Sequence, residues 1–190
     1  MTMKQASTSS LTADAARPRE GAARHLRTIA RETGLVAAGT AAIALIGQIS
    51  LPLPFTPVPV TLGTLAVLGV GAFLGSRRAV ASALLLAALA ALGAPVLAGW
   101  GSGVTASFGY VLGYALVGAI AGRATAPGCG VLARLGLMLA ASAAVYIPGL
   151  LWLKAFTGLA WSATLTLGLA PFVVGDLMKS GVAALAPTRR

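Results

Sequence analysis

Carboxylates are nearly missing from this chain. Four Asp and Glu stand against fourteen Lys and Arg, and none lies between Glu32 and Asp176. Two-carboxylate chemistry needs a second acid, so it is excluded from the body of the chain. Histidine occurs once, as His25 near the N-terminus, which removes Ser-His catalysis and histidine metal sites from the apolar part. Cys129 is the single cysteine, so no intramolecular disulfide and no cysteine metal cluster can form, and its Pro-Gly-Cys-Gly setting reads as a loop. No GxxxxGK[ST] sequence is present, which excludes a P-loop for ATP. Gly69, Gly71 and Gly75 only approximate a dinucleotide motif, lie inside an apolar run and read as helix packing. Aromatics make up 6% of the chain and are not interleaved with its basic residues, unlike a nucleic-acid surface. No cofactor and no metal are expected, and the chain reads as a binder or conduit that takes its energy from elsewhere.

What the chain has in excess is apolar side chains: 57% hydrophobic, 9% charged, mean hydropathy +0.89. Soluble domains carry about 25% charged residues, so a lipid bilayer is the solvent that fits. Six apolar segments stand at about 34–50, 58–75, 79–98, 107–122, 132–153 and 163–186. Some fall short of the ~20 residues of a perpendicular span, which flanking arginines and local thinning of the bilayer accommodate. The expected fold is an all-α integral membrane protein with six transmembrane helices. The net charge of +10 then reports orientation. Arg77, Arg78, Arg123, Arg134, Arg189, Arg190 and the N-terminal arginines fall on one side of six crossings, whereas the other connectors hold only Lys154. The positive-inside rule places both termini in the cytoplasm, and Trp100, Trp152 and Trp161 fall near the outer boundary. Residues 1–32 read as a mobile basic cytoplasmic tail and 33–190 as a six-helix transmembrane domain. The late first apolar segment, followed by several more, reads as an anchor and not a cleaved signal peptide.

Asp176 and Lys179 break the pattern. Each ionisable group at the centre of a membrane helix costs about 2.5 to 3.5 kcal/mol on insertion scales. Pro171 divides the last segment, so the helix is expected from about 171 to 186 with Asp176 in its second turn and Lys179 on the same face. Two readings follow: the pair binds a ligand in a pocket open to the outside, or it is structural, with the two groups neutralising one another or Lys179 snorkelling. The connector 51–59 has prolines at 52, 54, 57 and 59, which favours a stiff extended strand. It reads equally as a lid over an outward cavity or as a rigid connector. Small residues recur at spacing four: Ala37/Ala41, Ala38/Ala42, Gly71/Gly75, Gly109/Gly113 and Gly118/Gly122. Packing within the bundle is the default reading, with the first helix the candidate for contact with another membrane protein.

These residues carry a resemblance. PFTPVPVT at 54–61, TLAVL at 64–68 and LGSRR at 74–78 look like the opening signature of the BioY family. GAPV at 93–96, GYVLG at 109–113 and PFVVGDLMK at 171–179 continue the match, which runs from about residue 35 to 186. The chain departs from the family pattern at Gly63, where Gln is usual, and at 106–110, where ASFGY replaces a Gly-rich PTGGY. The resemblance implies a biotin-specific substrate-binding (S) component of an energy-coupling factor (ECF) transporter. Its partners would be a transmembrane coupling protein, met by Ala37/Ala41 or Ala38/Ala42, and two cytoplasmic ATPases, although some family members act without dedicated partners. Asp176 would accept from the ureido N–H groups of biotin, and Lys179 would meet its carboxylate. Phe55, Trp100 and Tyr110 would form apolar walls, with hydroxyls from Ser102, Thr105 and Ser107. The alternatives are an S component for another small vitamin, or a small channel or structural subunit without a ligand.

Overall fold

Apolar runs punctuated by Gly and Pro fold as helices here, because a backbone surrounded by hydrocarbon must satisfy its own hydrogen bonds. The structure, a computed structural model, describes residues 6–187, with side chains from residue 24 onward. The first residues of the expected tail, and Arg189 and Arg190, lie outside the described residues. The described residues divide into two compact units, one up to Leu35 and one from Val36 onward. The described elements are α1 (Ala6–Gly47), β1 (Ser50–Leu51), β2 (Val60–Thr61), α2 (Gly63–Leu74), α3 (Ser76–Ala91), α4 (Phe108–Ala124), α5 (Val131–Ala144), α6 (Tyr146–Thr157), α7 (Trp161–Gly168) and α8 (Val173–Ala184). The expected tail overlaps α1, which is helical from Ala6.

Arg24–Gly47 and Val131–Thr157 are long and apolar enough to cross a membrane. Trp161–Gly168 and Val173–Ala184 make a third such span if this pair, bent by 46°, is counted as one, and Gly63–Leu74 and Phe108–Ala124 are shorter apolar helices. Each breakpoint has a local cause. Gly75 sits at φ 84°, a left-handed value that a Cβ disfavours, and it turns α2 directly into α3. Pro148 has no N–H to return to Ala144, which fits the break between α5 and α6. Pro171 divides α7 from α8, as its position in the sequence predicts. The helix resumes only at Val173, because residues 169–172 close a turn through Phe172 N–H to Leu169 O at 3.0 Å. Asp176 therefore lies in the first turn of α8, one turn earlier than expected.

Helix α4 occupies the middle of the second unit and packs against α2, α3, α5 and α6. Its glycines explain how. Gly109 and Gly113 lie one turn apart and face α6 and the α5–α6 junction, at Trp152 and the Val145 carbonyl. Gly118 and Gly122, on a different stripe, face the start of α3 at Ala79 and Ser76. Gly71 of α2 admits Ala121 in the same way. Buried hydroxyls cross-link these contacts. Thr125 Oγ1 donates to Ala72 O at 2.7 Å, Thr40 Oγ1 to Ser82 O at 3.1 Å, and Ser142 and Ser180 hydroxyls pair at 2.7 Å. Such bonds hold helices together where the hydrophobic effect does not discriminate helix from lipid.

The arginine-bearing connectors gather at one end of this unit. Ser76 Oγ donates to Ala119 O, and Arg134 donates to Ala184 O and Ala186 O, satisfying carbonyls at the C-terminal end of α8. The charge-poor connectors gather at the other end. Trp152 Nε1 donates to Thr105 O at 3.0 Å, and Thr56 Oγ1 to Leu167 O at 2.8 Å. There the proline-rich connector is a hairpin loop and not the extended strand expected. Ser50 pairs with Thr61 and Leu51 with Val60, and this closure forces the chain to reverse between them. The loop is folded inward by Val58, buried against Leu153 and Phe172.

Close packing at Gly71 yields a paired test. Gly71→Ala places a Cβ 2.8 Å from that of Ala121 and should destabilise the detergent-solubilised protein by about 1–3 kcal/mol. Gly69→Ala, two residues away with nothing within 4 Å, should leave the thermal midpoint unchanged or raise it. Equal shifts would show that the α2–α4 contact is not close.

Candidate functional site

The two charges of the apolar region meet at the start of α8. Asp176 and Lys179 are 7% and 8% exposed, and spacing of three on a helix puts them on one face. Lys179 Nζ donates to Asp176 Oδ1 at 3.0 Å. The Tyr146 hydroxyl, from the first turn of α6, donates to Oδ2. The carboxylate also sits in the first turn of α8, where unpaired N–H groups leave partial positive charge. A buried carboxylate is thus held by a cation, a phenol and a helix terminus together. One of the two sequence readings, contact between Asp176 and Lys179, is realised, and it does not exclude the other, because both groups also line a cavity.

That cavity is a partly open cleft of about 360 Å³ including space open to solvent, and its polar side is Asp176, Lys179, Tyr146, Thr61 and Thr64. A second cleft, about 510 Å³ including space open to solvent, adjoins it and is apolar on its far side, through Ile43, Leu86, Val96 and Leu97. The two share Val58, Pro59, Thr61, Tyr110 and Tyr114 as a common wall. Val58 and Pro59 come from the hairpin, which therefore covers the site as well as connecting α1 to α2. Tyr110 organises the wall. Its ring lies edge-on to Tyr146 at 6.3 Å and tilted to Phe172 at 6.5 Å, and its hydroxyl donates to Gly168 O at 2.8 Å. Gly149 and Gly168 leave the space it fills, since a Cβ on either would run into it.

The turn at 97–101 roofs the apolar cavity through Leu97 and Ala98. Gln48, just past α1, fastens this turn. Its amide donates to Ala44 O and Leu97 O, both at 3.0 Å, and its Oε1 accepts from Trp100 N–H at 2.9 Å. Trp100 is held at φ 57°, an uncommon value for a residue with a side chain.

Of the residues expected at the site, the structure brings Asp176, Lys179 and Tyr110 together. Ser107 lines the apolar cavity, with its hydroxyl 3.2 Å from that of Thr105. Phe55, at the hairpin tip, and Trp100 are 59% and 61% exposed, and Ser102 is exposed; none of the three lines either cavity. Ala37, Ala38 and Ala41 are exposed along α1, while Ala42 is half-buried. Sequence reasoning passed over Tyr146, Tyr114, Thr61 and Thr64. One signal was available: the chain has three tyrosines, and all three line the polar cavity.

A carboxylate acceptor, an ammonium donor and an adjoining apolar lobe suit a small molecule with a polar head and a greasy body. The fold and site thus define a helical protein with helices long and apolar enough to cross a membrane and a small-molecule cavity. The profile of the BioY family matches residues 12–189, and the chain belongs to that family. It is 31% identical over 164 residues to a probable biotin transporter BioY of Pyrococcus horikoshii, covering 84% of this chain and 96% of that protein. It is 33% identical over 166 residues to the biotin transporter BioY of Rhizobium etli, covering 80% and 87%. Its fold superposes, with a TM-score of 0.71 and 24% identity, on the crystal structure of the S-component for biotin from an ECF-type ABC transporter, covering 84% of this chain and 89% of that one.

Proposed function

We propose that this protein captures biotin at the outer face of the cell membrane as the S component of an ECF-type transporter. The observation that carries the reading is the buried Asp176–Lys179 pair facing a cavity beside an apolar lobe, in a chain of the BioY family. Biotin presents a ureido ring with two N–H donors and one carbonyl acceptor, an apolar thiophane ring and a valeryl carboxylate. Asp176 accepts from the ureido N–H groups. Lys179 lies 3.0 Å from Asp176, so while the pair stays closed one end of the ligand meets both. The ureido ring is the end that carries a donor for one and an acceptor for the other. Contact between Lys179 and the carboxylate, the sequence-based expectation, requires the pair to open.

The chain crosses the membrane six times with both termini in the cytoplasm. α5 with α6 and α7 with α8 each count as one crossing, and α2, α3 and α4 are short spans. Support comes from the segregation of arginine-bearing and charge-poor connectors to opposite ends. ATP is hydrolysed by two separate cytoplasmic subunits, and a transmembrane coupling protein docks on the exposed alanines of α1. Ala38 and Ala42 floor an apolar groove that α2 and α8 extend with Leu65, Gly69, Phe73 and Val182.

Orientation is open to labelling with an impermeant thiol reagent. Wild-type Cys129, in the connector between α4 and α5, should stay unlabelled in intact cells and react once membranes are permeabilised. Cysteines at Ser102 and Ser162, in a Cys129→Ser background, should react in intact cells. The reverse pattern overturns the topology.

Bulk on the first helix should separate docking from capture. Leu at Ala37, Ala38, Ala41 and Ala42 together should prevent co-purification with the coupling protein while biotin binding persists. Lost binding with intact co-purification would assign these alanines to internal packing.

Lys179→Met tests the site. Hydrogen bonds to charged groups contribute about 1.5–3 kcal/mol, so biotin affinity of the purified subunit should fall at least tenfold. If Lys179 serves the ureido ring, biotin and its uncharged methyl ester lose affinity alike. A loss confined to the free acid would move Lys179 to the carboxylate, and unchanged binding of both would remove it from the site.

A further inference from the structure

Tyr114 lies on α4 one turn beyond Tyr110, is 9% exposed and belongs to the wall shared by both cavities. Its hydroxyl rests against the Cα of Gly63, the first residue of α2. A Cβ at position 63 would collide with that hydroxyl and come within 3.0 Å of the ring carbon bearing it. Glycine at 63 is therefore what lets a phenol reach this point. The hydroxyl and that of Thr61 both border the space a Cβ at 63 would fill, and Thr64 and Asp176 line the same cavity. The other two tyrosine hydroxyls are committed, that of Tyr110 to the Gly168 carbonyl and that of Tyr146 to Asp176. Tyr114 instead meets threonine hydroxyls, which rotate and can donate or accept, so its O–H is free to turn toward a ligand without leaving a buried group unpaired.

The polar cavity thus holds one strong acceptor, Asp176, and two donors that can converge on an oxygen, the Lys179 ammonium and the Tyr114 hydroxyl. Resting on the biotin reading above, we propose that Tyr114 is a ligand-contacting residue that sets specificity for a cyclic urea, its O–H donating to the ureido carbonyl oxygen while Asp176 accepts from the ureido N–H. A ligand with a donor in place of that oxygen would face the donor-only Lys179 ammonium and could use the Tyr114 hydroxyl only as an acceptor, so it gains less from the phenol than biotin does.

The test uses the purified full chain with biotin and with 2-iminobiotin in its protonated form, which carries an N–H where biotin has the oxygen. Tyr114→Phe removes one hydroxyl and keeps the ring. Biotin affinity should fall about tenfold while 2-iminobiotin binding falls by less, so the preference for biotin shrinks. Gly63→Ala, whose Cβ displaces the hydroxyl, should cause a similar loss in the wild-type background and add little to Tyr114→Phe. Equal weakening of both ligands, or biotin binding unchanged by Tyr114→Phe, overturns the proposal while leaving the biotin reading standing. Additive losses in the double variant would detach the effect of Gly63 from the hydroxyl and overturn the pairing of the two positions. Absence of biotin binding to the wild type would sink the biotin reading itself and this specificity with it.

Discussion

The polar cavity of this protein depends on the contact between Asp176 and Lys179. An isolated carboxylate or ammonium in an apolar bundle is costly enough to be driven to its neutral form, and only mutual contact plus further hydrogen bonds keeps both charged groups tolerable. Here the further partners are the Tyr146 hydroxyl and the N-terminal turn of α8. That requirement fixes more than one residue. It needs α6 to begin where Tyr146 can reach α8, which the break near Pro148 supplies. It needs α8 to begin just before Asp176, which the interruption at Pro171 supplies. Two prolines thus set the register of the pair.

The surrounding bundle is built from small residues in place of large ones. Leu and Phe in quantity would hold a soluble core together, but against lipid they offer little preference for a neighbouring helix over an acyl chain. Gly113, Gly118 and Gly122 bring α4 close enough for backbone and side chain to touch across the interface, and hydroxyls such as Thr125 bond to the carbonyls thereby exposed. The space saved by glycine is also used at the site. Gly149 and Gly168 accommodate Tyr110, and Gly63 accommodates Tyr114, so aromatic walls and close helix packing come from the same choice of residue.

Much of this was legible in the sequence, because the signals were local. Each apolar segment contains a helix, Pro171 does divide the last one, and the acid-free stretch ending at Asp176 does point to the cavity. The one-turn displacement of Asp176 arose because Pro171 suits a helix start, while the turn closed by Phe172 and Leu169 delays it. Phe55, Trp100 and Ser102 were assigned from loops on the correct end of the molecule, but loop membership does not say which way a side chain points, and these three face outward. Tyr146 and Tyr114 were passed over for the opposite reason. Each is unremarkable within its own helix and acquires a role only when α4, α6 and α8 are brought together.

Gln48 has one consequence beyond fastening a turn. Its carboxamide is spent on three backbone groups, one in its own helix and two in the 97–101 turn, and the donor and acceptor ends are used in opposite senses. No other side chain of similar length offers both, so the clasp acts as a rigid hinge pin and not as a tether. One side chain therefore fixes the end of α1 against the turn that roofs the apolar cavity.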